Sequence, residues 1–418
     1  MKVLSLFDGM SCGRLALQEA EINVTEYHAS EIDKYAIQVT KANWPDTIHI
    51  GSVTNVNVNQ HYDLLIGGSP CQSFSFAGKR KGMATKDEQE ILTLDHYLQL
   101  KADGYEFEGQ SYLFWEYVRI LAECRVINPN IKFLLENVLM AEKWERVITY
   151  TLGVAPIKIN SALVSAQNRT RLYWTNIGLQ PQGLFGFEES IIQQPKDCGI
   201  LLKDILETNI PEKYYLSKKA ITRISNYNNG DKCFADNNKA LCLAAAYYRK
   251  GRDNQYVTEQ KNYNLSKTEP FCVAMRGRNP DNPKSRKTGL KTEQQLEHRN
   301  DGKTNTLTTV QKDNLIMLNE NQQAKFKLDV NADKANTLTL AQGRGGSSSE
   351  YMDSVSKIYA LTQRIRTLTP TECCRLQTVP DNYFFDETGK QIVSDTQIYK
   401  QCGNGWTIKV IAHIFSYF

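Results

Sequence analysis

The chain has 418 residues, with fifty basic against forty-six acidic groups and a formal charge of +4. That length is enough for two or three domains with a real core, and so even a charge balance permits nucleic-acid binding only where basic groups cluster. Ten irregularly spaced cysteines without paired CxxC motifs, and no apolar run of membrane-spanning length, lead us to expect a soluble intracellular protein with reduced thiols, no signal peptide and no metal site.

Lys2 to Phe7 reads as a buried strand, ended by Asp8-Gly9-Met10-Ser11-Cys12-Gly13 and followed by a helix from Arg14 to Ala20. Strand, glycine turn and helix make a corner where a backbone can approach a nucleotide-like ligand closely. Val24 to Ser30 reads as a second strand with Glu31 at its end. That position suits an acid accepting from ribose hydroxyls, and equally a solvated Glu at a helix start. A helix over Lys34–Asn43 and a short strand over Thr47–Ile50 come next. Tyr62 to Ile66 is an apolar strand stopped by Gly67-Gly68-Ser69-Pro70, with Cys71 at the turn. Alone, Cys71 reads as a buried turn cysteine; at the carboxyl end of a buried strand it also stands where open α/β sheets bind their ligands.

Lys79 to Glu108 is charged and loop-like around a helix expected from Glu88 to Leu100, and we read it as a lid or insertion. Gly109 to Ile127 has apolar residues at helical spacing. Lys132 to Leu135 is another buried strand, ending in Glu136-Asn137-Val138. A carboxylate there is costly unless it has a partner or a task. Ile157–Val164 and Arg171–Ile177 complete a strand–helix alternation that predicts a doubly wound, mainly parallel sheet with helices on both faces. The strand ends then bring the Gly9 turn, Glu31, Cys71, Glu136 and Arg171 to one edge.

After Ile177 the rhythm stops, and an Asn-, Lys-, Thr- and Gly-rich stretch predicts a smaller, irregular β-rich domain. Lys303-Thr304-Asn305-Thr306-Leu307-Thr308 recurs as Lys334-Ala335-Asn336-Thr337-Leu338-Thr339, with looser copies near Lys239 and Glu269. Each apolar strand leads into a basic or polar turn, which suggests about four strand-and-turn units presenting turns to one groove. Arg249, Arg252, Arg276, Arg278 and Arg344 are the candidate nucleic-acid contacts, since arginine reads guanine edges and grips phosphate. Any single one is as readily a solvated turn residue.

Taken together, these motifs resemble the DNA (cytosine-5) methyltransferases, in that family's order and at both ends of the chain. Phe7-Asp8-Gly9 with Gly13 resembles the first S-adenosylmethionine motif, Ser69-Pro70-Cys71-Gln72 the nucleophile motif, and Glu136-Asn137-Val138 the catalytic carboxylate motif. Gln167-Asn168-Arg169-Thr170-Arg171 is similar to the Q-x-R-x-R motif. Arg366 to Glu372 with Arg375-Leu376-Gln377 resembles the ninth motif, and Gln401 to Trp406 the tenth. The chain departs from the pattern at Met10-Ser11-Cys12-Gly13, at Ser52, where an acid is usual, and at Asn168, where a basic residue is usual.

The resemblance implies an S-adenosylmethionine-dependent enzyme acting on carbon 5 of cytosine in double-stranded DNA. It implies Cys71, Glu136, Arg171 and Arg169 as catalytic residues, and Phe7, Asp8, Gly9, Gly13, Glu31, Ile32, Ser52, Leu113 and Asn404 around the cofactor. Gln72 to Lys81 is read as a loop closing over the DNA, with Ser73 or Ser75 near the space a flipped base leaves. The expected division is 1–178 for the catalytic domain, 179–395 for target recognition and 396–418 for a segment returning to complete the cofactor site. Asn404 and Trp406 are expected to begin the final helix. A monomer in the cytoplasm of a bacterial or phage-infected cell is expected. Restriction–modification with a cognate endonuclease, phage self-protection and an orphan role stay open. A transfer-RNA substrate and a DNA-binding protein without catalysis are the rival readings.

Overall fold

Leu4 and Leu6, Leu65, and Phe133 and Leu135 lie on one face of their strands, all buried, while Val3, Ile66 and Leu134 face the opposite way and are buried as well. Strands apolar on both faces belong in the middle of a sheet covered by helices on both sides. The computed structural model, which describes residues 1–70, 83–182, 187–217, 239–240, 242–249, 256–260, 271–278, 293–298, 315–317 and 363–418, has that arrangement. Its main sheet has seven strands: β1 (Lys2–Leu6), β2 (Glu26–Ser30), β3 (Ile48–His49), β4 (Leu64–Gly68), β5 (Lys132–Val138), β6 (Ile157–Asn160) and β7 (Thr170–Thr175). They lie in the order β3-β2-β1-β4-β5-β7-β6. The first five are parallel; β7 runs antiparallel to both β5 and β6. The sheet is therefore mixed, mostly parallel, as the alternation implied.

Helices α1 (Cys12–Glu19) and α2 (Lys34–Asn43) follow the first two strands. A β-carbon on Gly13 would meet Ile66 Cδ1 at 2.2 Å, so that glycine sets how closely α1 packs on β4. The opposite face is covered by α3 (Leu94–Ala102), α4 (Phe114–Ile127) and α5 (Glu142–Leu152), whose Tyr97, Trp115, Tyr117 and Trp144 join the core beneath Leu4, Leu65 and Phe133.

The segment read as a lid anchors several of its described residues in this core. Met83 and Ile91 are fully buried, and Tyr97 donates from its hydroxyl to Glu116 Oε1 at 2.6 Å. Its helix begins at Leu94 rather than Glu88, because Thr93 caps it by accepting from His96 N–H. Glu116 itself is fully buried. Burial alone would raise its carboxyl, but donors from Lys101, Tyr97 and Arg119 outweigh that and hold it below the usual carboxylate range. Arg119 also donates to the carbonyls of Val53 (3.3 Å) and Val56 (2.9 Å), fixing the turn that follows Ser52. Likewise α4 starts at Phe114, after a 3₁₀ turn over Ser111–Leu113, rather than at Gly109.

The chain forms two compact units. The first comprises Met1–Ile200, Cys242–Tyr248 and Pro370–Phe418; the second comprises Leu201–Leu241 and Arg249–Thr369. The first unit thus extends past residue 178 and resumes at Pro370, taking in residues that the sequence reading placed in the second. Within it a hairpin of β8 (Leu179–Gln182) and β9 (Phe187–Ser190) follows the sheet. The described part of the second unit holds α6 (Leu202–Ile205) and the antiparallel pairs of β10 (Tyr256–Gln260) with β14 (Gln363–Thr367), and of β11 (Phe271–Arg278) with β12 (Glu293–His298) and β13 (Leu315–Met317). Arg276 and Arg278 are in β11, opposite Gln295 and Glu293, not on a turn as expected, because the pairing with β12 carries the strand to its end. The copy near Lys239 gives no strand over Cys242–Arg249; that stretch ends in a 3₁₀ turn, Tyr247–Arg249. Both copies of the tighter repeat, with Arg252 and Arg344, lie outside the described residues.

The chain's end adds α7 (Pro370–Leu376), α8 (Asp395–Asn404) and α9 (Ile408–Phe415). Asn404 closes α8 instead of opening the last helix, since Gly405 leaves the helical conformation and the next helix starts only after Thr407. Ile408, Ile411, Ala412 and Phe415 are buried in α9, which packs against α1. Among the described residues no helix is long and apolar enough to cross a membrane.

Candidate active site

The carboxyl ends of the five parallel strands and the amino end of β7 share one edge of the sheet, and the site is built there. At the end of β1, Phe7, Gly9 and Ser11 all take positive φ (56°, 58° and 60°), giving a tight corner before α1. Space around Gly9 is open, with nothing within 4 Å of where a β-carbon would sit. Glu31, at the end of β2, accepts from Gly9 N–H at 2.7 Å with one oxygen, and from Ile32 and Asp33 N–H at 2.7 and 2.8 Å with the other. Ile32 beside it is 73% exposed, a bare apolar surface next to the corner.

Asp8 is buried beneath this corner, accepting from Ser11 Oγ at 2.5 Å and Tyr27 hydroxyl at 2.7 Å. Burial pushes its carboxyl up to about 6 against those hydrogen bonds. Its oxygens thus serve the turn itself. Ser52 caps the 3₁₀ turn Val53–Asn55 by accepting from Thr54 N–H, Leu113 packs partly buried against the core at the start of α4, and Asn404 is exposed at the end of α8.

The second half of the site centres on Glu136, paired in register with Gly68 on β4 and Tyr173 on β7, and only 8% exposed. Its Oε1 lies 3.0 Å from Arg171 Nε, and its Oε2 accepts from Trp406 Nε1 at 3.1 Å. Asn137 donates to the Ser69 carbonyl (3.2 Å) and hydroxyl (3.1 Å), holding the chain two residues before Cys71. Cys71, Gln72, Ser73 and Ser75 lie outside the described residues.

Arg169, two residues before Arg171, does something different. It is buried and donates to the carbonyls of Leu243 (3.4 Å), Gly403 (3.2 Å) and Gly405 (3.0 Å). It ties the Cys242–Tyr248 segment and the end of α8 to the sheet. The Cys242 thiol sits between the two guanidinium groups, 3.4 Å from Arg169 Nη1 and 3.8 Å from Arg171 Nη2. Gln377 bolts the same region from below: its amide donates to the Cys402 carbonyl at 2.6 Å and accepts from Thr407 hydroxyl at 2.7 Å. Neither Cys242 nor the indole of Trp406 was assigned a task from sequence, since both reach the site from segments far away in the chain.

Comparison with known proteins shows the family. A family model described as C-5 cytosine-specific DNA methylase matches residues 1–417. The chain belongs to that family. It is a DNA (cytosine-5-)-methyltransferase. Among curated relatives, type II methyltransferase M1.ScrFI of Lactococcus lactis subsp. cremoris is 30% identical over 305 residues, covering 67% of this chain and 70% of its own. The orphan methyltransferase M.SPRI of Bacillus phage SPR is 26% identical over an alignment of 474 residues, covering 99% and 96%. Among solved structures, Entamoeba histolytica methyltransferase EhMeth has a TM-score of 0.56 at 12% identity, covering 100% of this chain and 97% of that one. A Spodoptera frugiperda DNMT2 mutant has a TM-score of 0.52 at 18% identity, covering 100% and 98%. At those identities the likeness concerns the fold, that of the S-adenosylmethionine-dependent methyltransferases.

Proposed function

We propose that this methyltransferase modifies carbon 5 of a cytosine turned out of a specific duplex sequence, through a covalent bond between Cys71 and carbon 6. The observation that supports this most is the Glu136 carboxyl, seated at a sheet edge beside the strand that leads into Cys71 and held by Arg171. A stacked base is out of reach of any such carboxyl, so the cytosine has to leave the helix, at a cost of a few kcal/mol that DNA contacts must offset.

Carbon 5 of cytosine is a poor nucleophile until something adds at carbon 6. The Cys71 thiolate is suited to that addition, being both nucleophilic and a good leaving group. Its attack pushes electrons toward ring nitrogen 3, where the Glu136 carboxyl meets the developing charge while also accepting from the exocyclic amine. Arg171 steadies Glu136 and donates to the ring carbonyl in this reading. S-adenosylmethionine supplies, when bound, an electrophilic methyl group on a sulfonium. The open corner at Gly9, the Glu31 carboxylate and the exposed Ile32 side chain fit its amino-acid, ribose and adenine parts respectively, with Leu113 and Asn404 as neighbours. Water takes the proton lost from carbon 5 as Cys71 is expelled.

The second unit is read as the part that selects the DNA sequence, with Arg249, Arg276 and Arg278 as its described candidate contacts. Bisulfite sequencing of DNA from cells expressing the chain tests the reaction and reveals the target. Duplex DNA carrying 5-fluorocytosine at that target tests the mechanism. The natural protein should form a denaturation-resistant adduct, and Cys71→Ser should form none while still binding S-adenosylhomocysteine. An adduct or normal turnover with Cys71→Ser would refute the covalent route.

A further inference from the structure

Trp406 meets Glu136 from the returning segment near the end of the chain. Its Nε1–H donates to Glu136 Oε2 at 3.1 Å. The residue before it, Gly405, comes close to the head of α1 beside the Gly9 corner, since a β-carbon there would lie 3.1 Å from the Cys12 sulfur. A β-carbon on Gly68 would lie 2.9 Å from the indole nitrogen and 3.0 Å from Glu136 Oε2, so only a glycine at the end of β4 lets indole and carboxyl meet.

The other carboxyl oxygen faces Arg171 Nε at 3.0 Å. Indole and guanidinium nitrogens donate and cannot accept. The indole thus donates to one carboxyl oxygen, and the guanidinium charge lies beside the other. A cytosine presents a donor of the same kind, its exocyclic amine, next to the ring nitrogen that needs a proton.

We infer that Trp406 is a positioning residue for the catalytic carboxyl, its N–H holding Glu136 Oε2 until the exocyclic amine of the flipped cytosine takes its place. The inference rests on the reading of Glu136 as the carboxyl that meets the base. Among the described residues, the titratable groups acting on that carboxyl from neighbouring elements are Arg171 and Tyr173 on β7, Arg169 before it, and Cys12 on α1. None of them changes when Trp406 is replaced.

The test compares the natural protein with Trp406→Phe and with 3-benzothienylalanine at position 406, which keeps the shape of the indole and lacks the N–H. Without the donor, protonation of the carboxyl becomes easier. The alkaline limb of kcat/KM, which reports the free enzyme, should move to higher pH by about one unit, the size of one hydrogen bond to a charged group, while that of kcat, set in the complex where the amine has displaced the indole, stays in place. The same shift should appear in both variants. A benzothienyl enzyme whose kcat/KM profile overlays that of the natural protein would overturn the role of the N–H, whatever the phenylalanine variant does. Glu136→Gln serves as the reference. If it is inactive and the benzothienyl profile does not move, the role of Trp406 alone falls. If it turns over normally, the reading of Glu136 falls first.

Discussion

The Glu31 carboxylate accepts the backbone N–H of Gly9 at 2.7 Å, so the end of β2 shapes the turn at the end of β1 without any ligand. With Ile32 and Asp33 N–H on its other oxygen, one side chain organises three backbone donors around the open corner. Glu31→Ala removes all of these contacts. Each hydrogen bond to a charged group is worth about 1.5–3 kcal/mol, so cofactor affinity should weaken roughly 10- to 100-fold even if only one such contribution is felt at the ligand. Glu31→Gln, which keeps an acceptor oxygen, should lose less. Calorimetric titration with S-adenosylhomocysteine checks both, and unchanged affinity in the alanine variant would remove Glu31 from the cofactor site.

Asp8 should give this protein an unusual pH signature. Its carboxyl is raised from the ordinary 3.8 to about 6, first by burial, against hydrogen bonds from Ser11, Ser5 and Tyr27. Between those two values the native state holds a proton that the unfolded chain has already lost. Stability contributed by this group is therefore full below pH 4 and declines as pH rises to 6, by roughly 3 kcal/mol in all. Asp8→Asn cannot titrate. The stability difference, variant minus natural protein, should increase by about that amount from pH 4 to pH 7, as read from urea unfolding at each pH. A flat difference would mean that Asp8 ionises normally in the fold.

How far the sequence reached depended on the range of the interactions involved. Strands β1, β4 and β5 were legible because each is a short apolar run broken by a glycine or an acid, and Glu136 was conspicuous as a carboxylate at the end of Lys132–Leu135. The antiparallel turn of β7 between β5 and β6 was not, since hydrogen-bond order leaves no mark on hydrophobic period. Helix α8 was missed for a different reason. Gly403 and Asn404 look like turn residues, yet Gly403 is helical and is required by close contact with another segment. Arg169 and Arg171 have the same chemistry and neighbouring positions. What separates their tasks is the set of carbonyls brought from Leu243, Gly403 and Gly405, which no local pattern reports.

Gly403 offers a direct test of that close contact. A β-carbon there would lie 2.4 Å from Ala245 N, 2.5 Å from Ala244 C and 2.6 Å from Ala245 Cα, all of them backbone atoms. A rotamer change cannot relieve such a clash, so the Cys242–Tyr248 segment has to shift or leave. Gly403→Ala should cost about 1–3 kcal/mol or more, in the range of overpacked cores. Denaturant unfolding measures it, and a variant as stable as the natural protein would show that the segment does not pack on α8.

Arg171 and Arg169 should fail in different ways. Arg171 engages Glu136 through Nε at 3.0 Å and is partly open to the site, with 14% of its side chain exposed. Arg171→Ala should lower kcat on the order of 10²–10³-fold, as loss of a donor that steadies developing charge does, with little change in unfolding free energy. Arg169 is buried against carbonyl oxygens from two distant segments. Arg169→Ala would take the guanidinium donor from all three carbonyls, at about 1–3 kcal/mol for each one left buried without another, so its main effect should be on stability. Lysine separates the two further, because it carries the charge without the planar fork. Arg169→Lys cannot reach Leu243, Gly403 and Gly405 together and should remain destabilised, whereas Arg171→Lys keeps a cation near Glu136 and should recover part of kcat. Turnover and unfolding measured on all four variants decide the matter. If Arg169→Ala is stable but inactive, the guanidinium that meets the base is that of Arg169, and the two residues exchange roles.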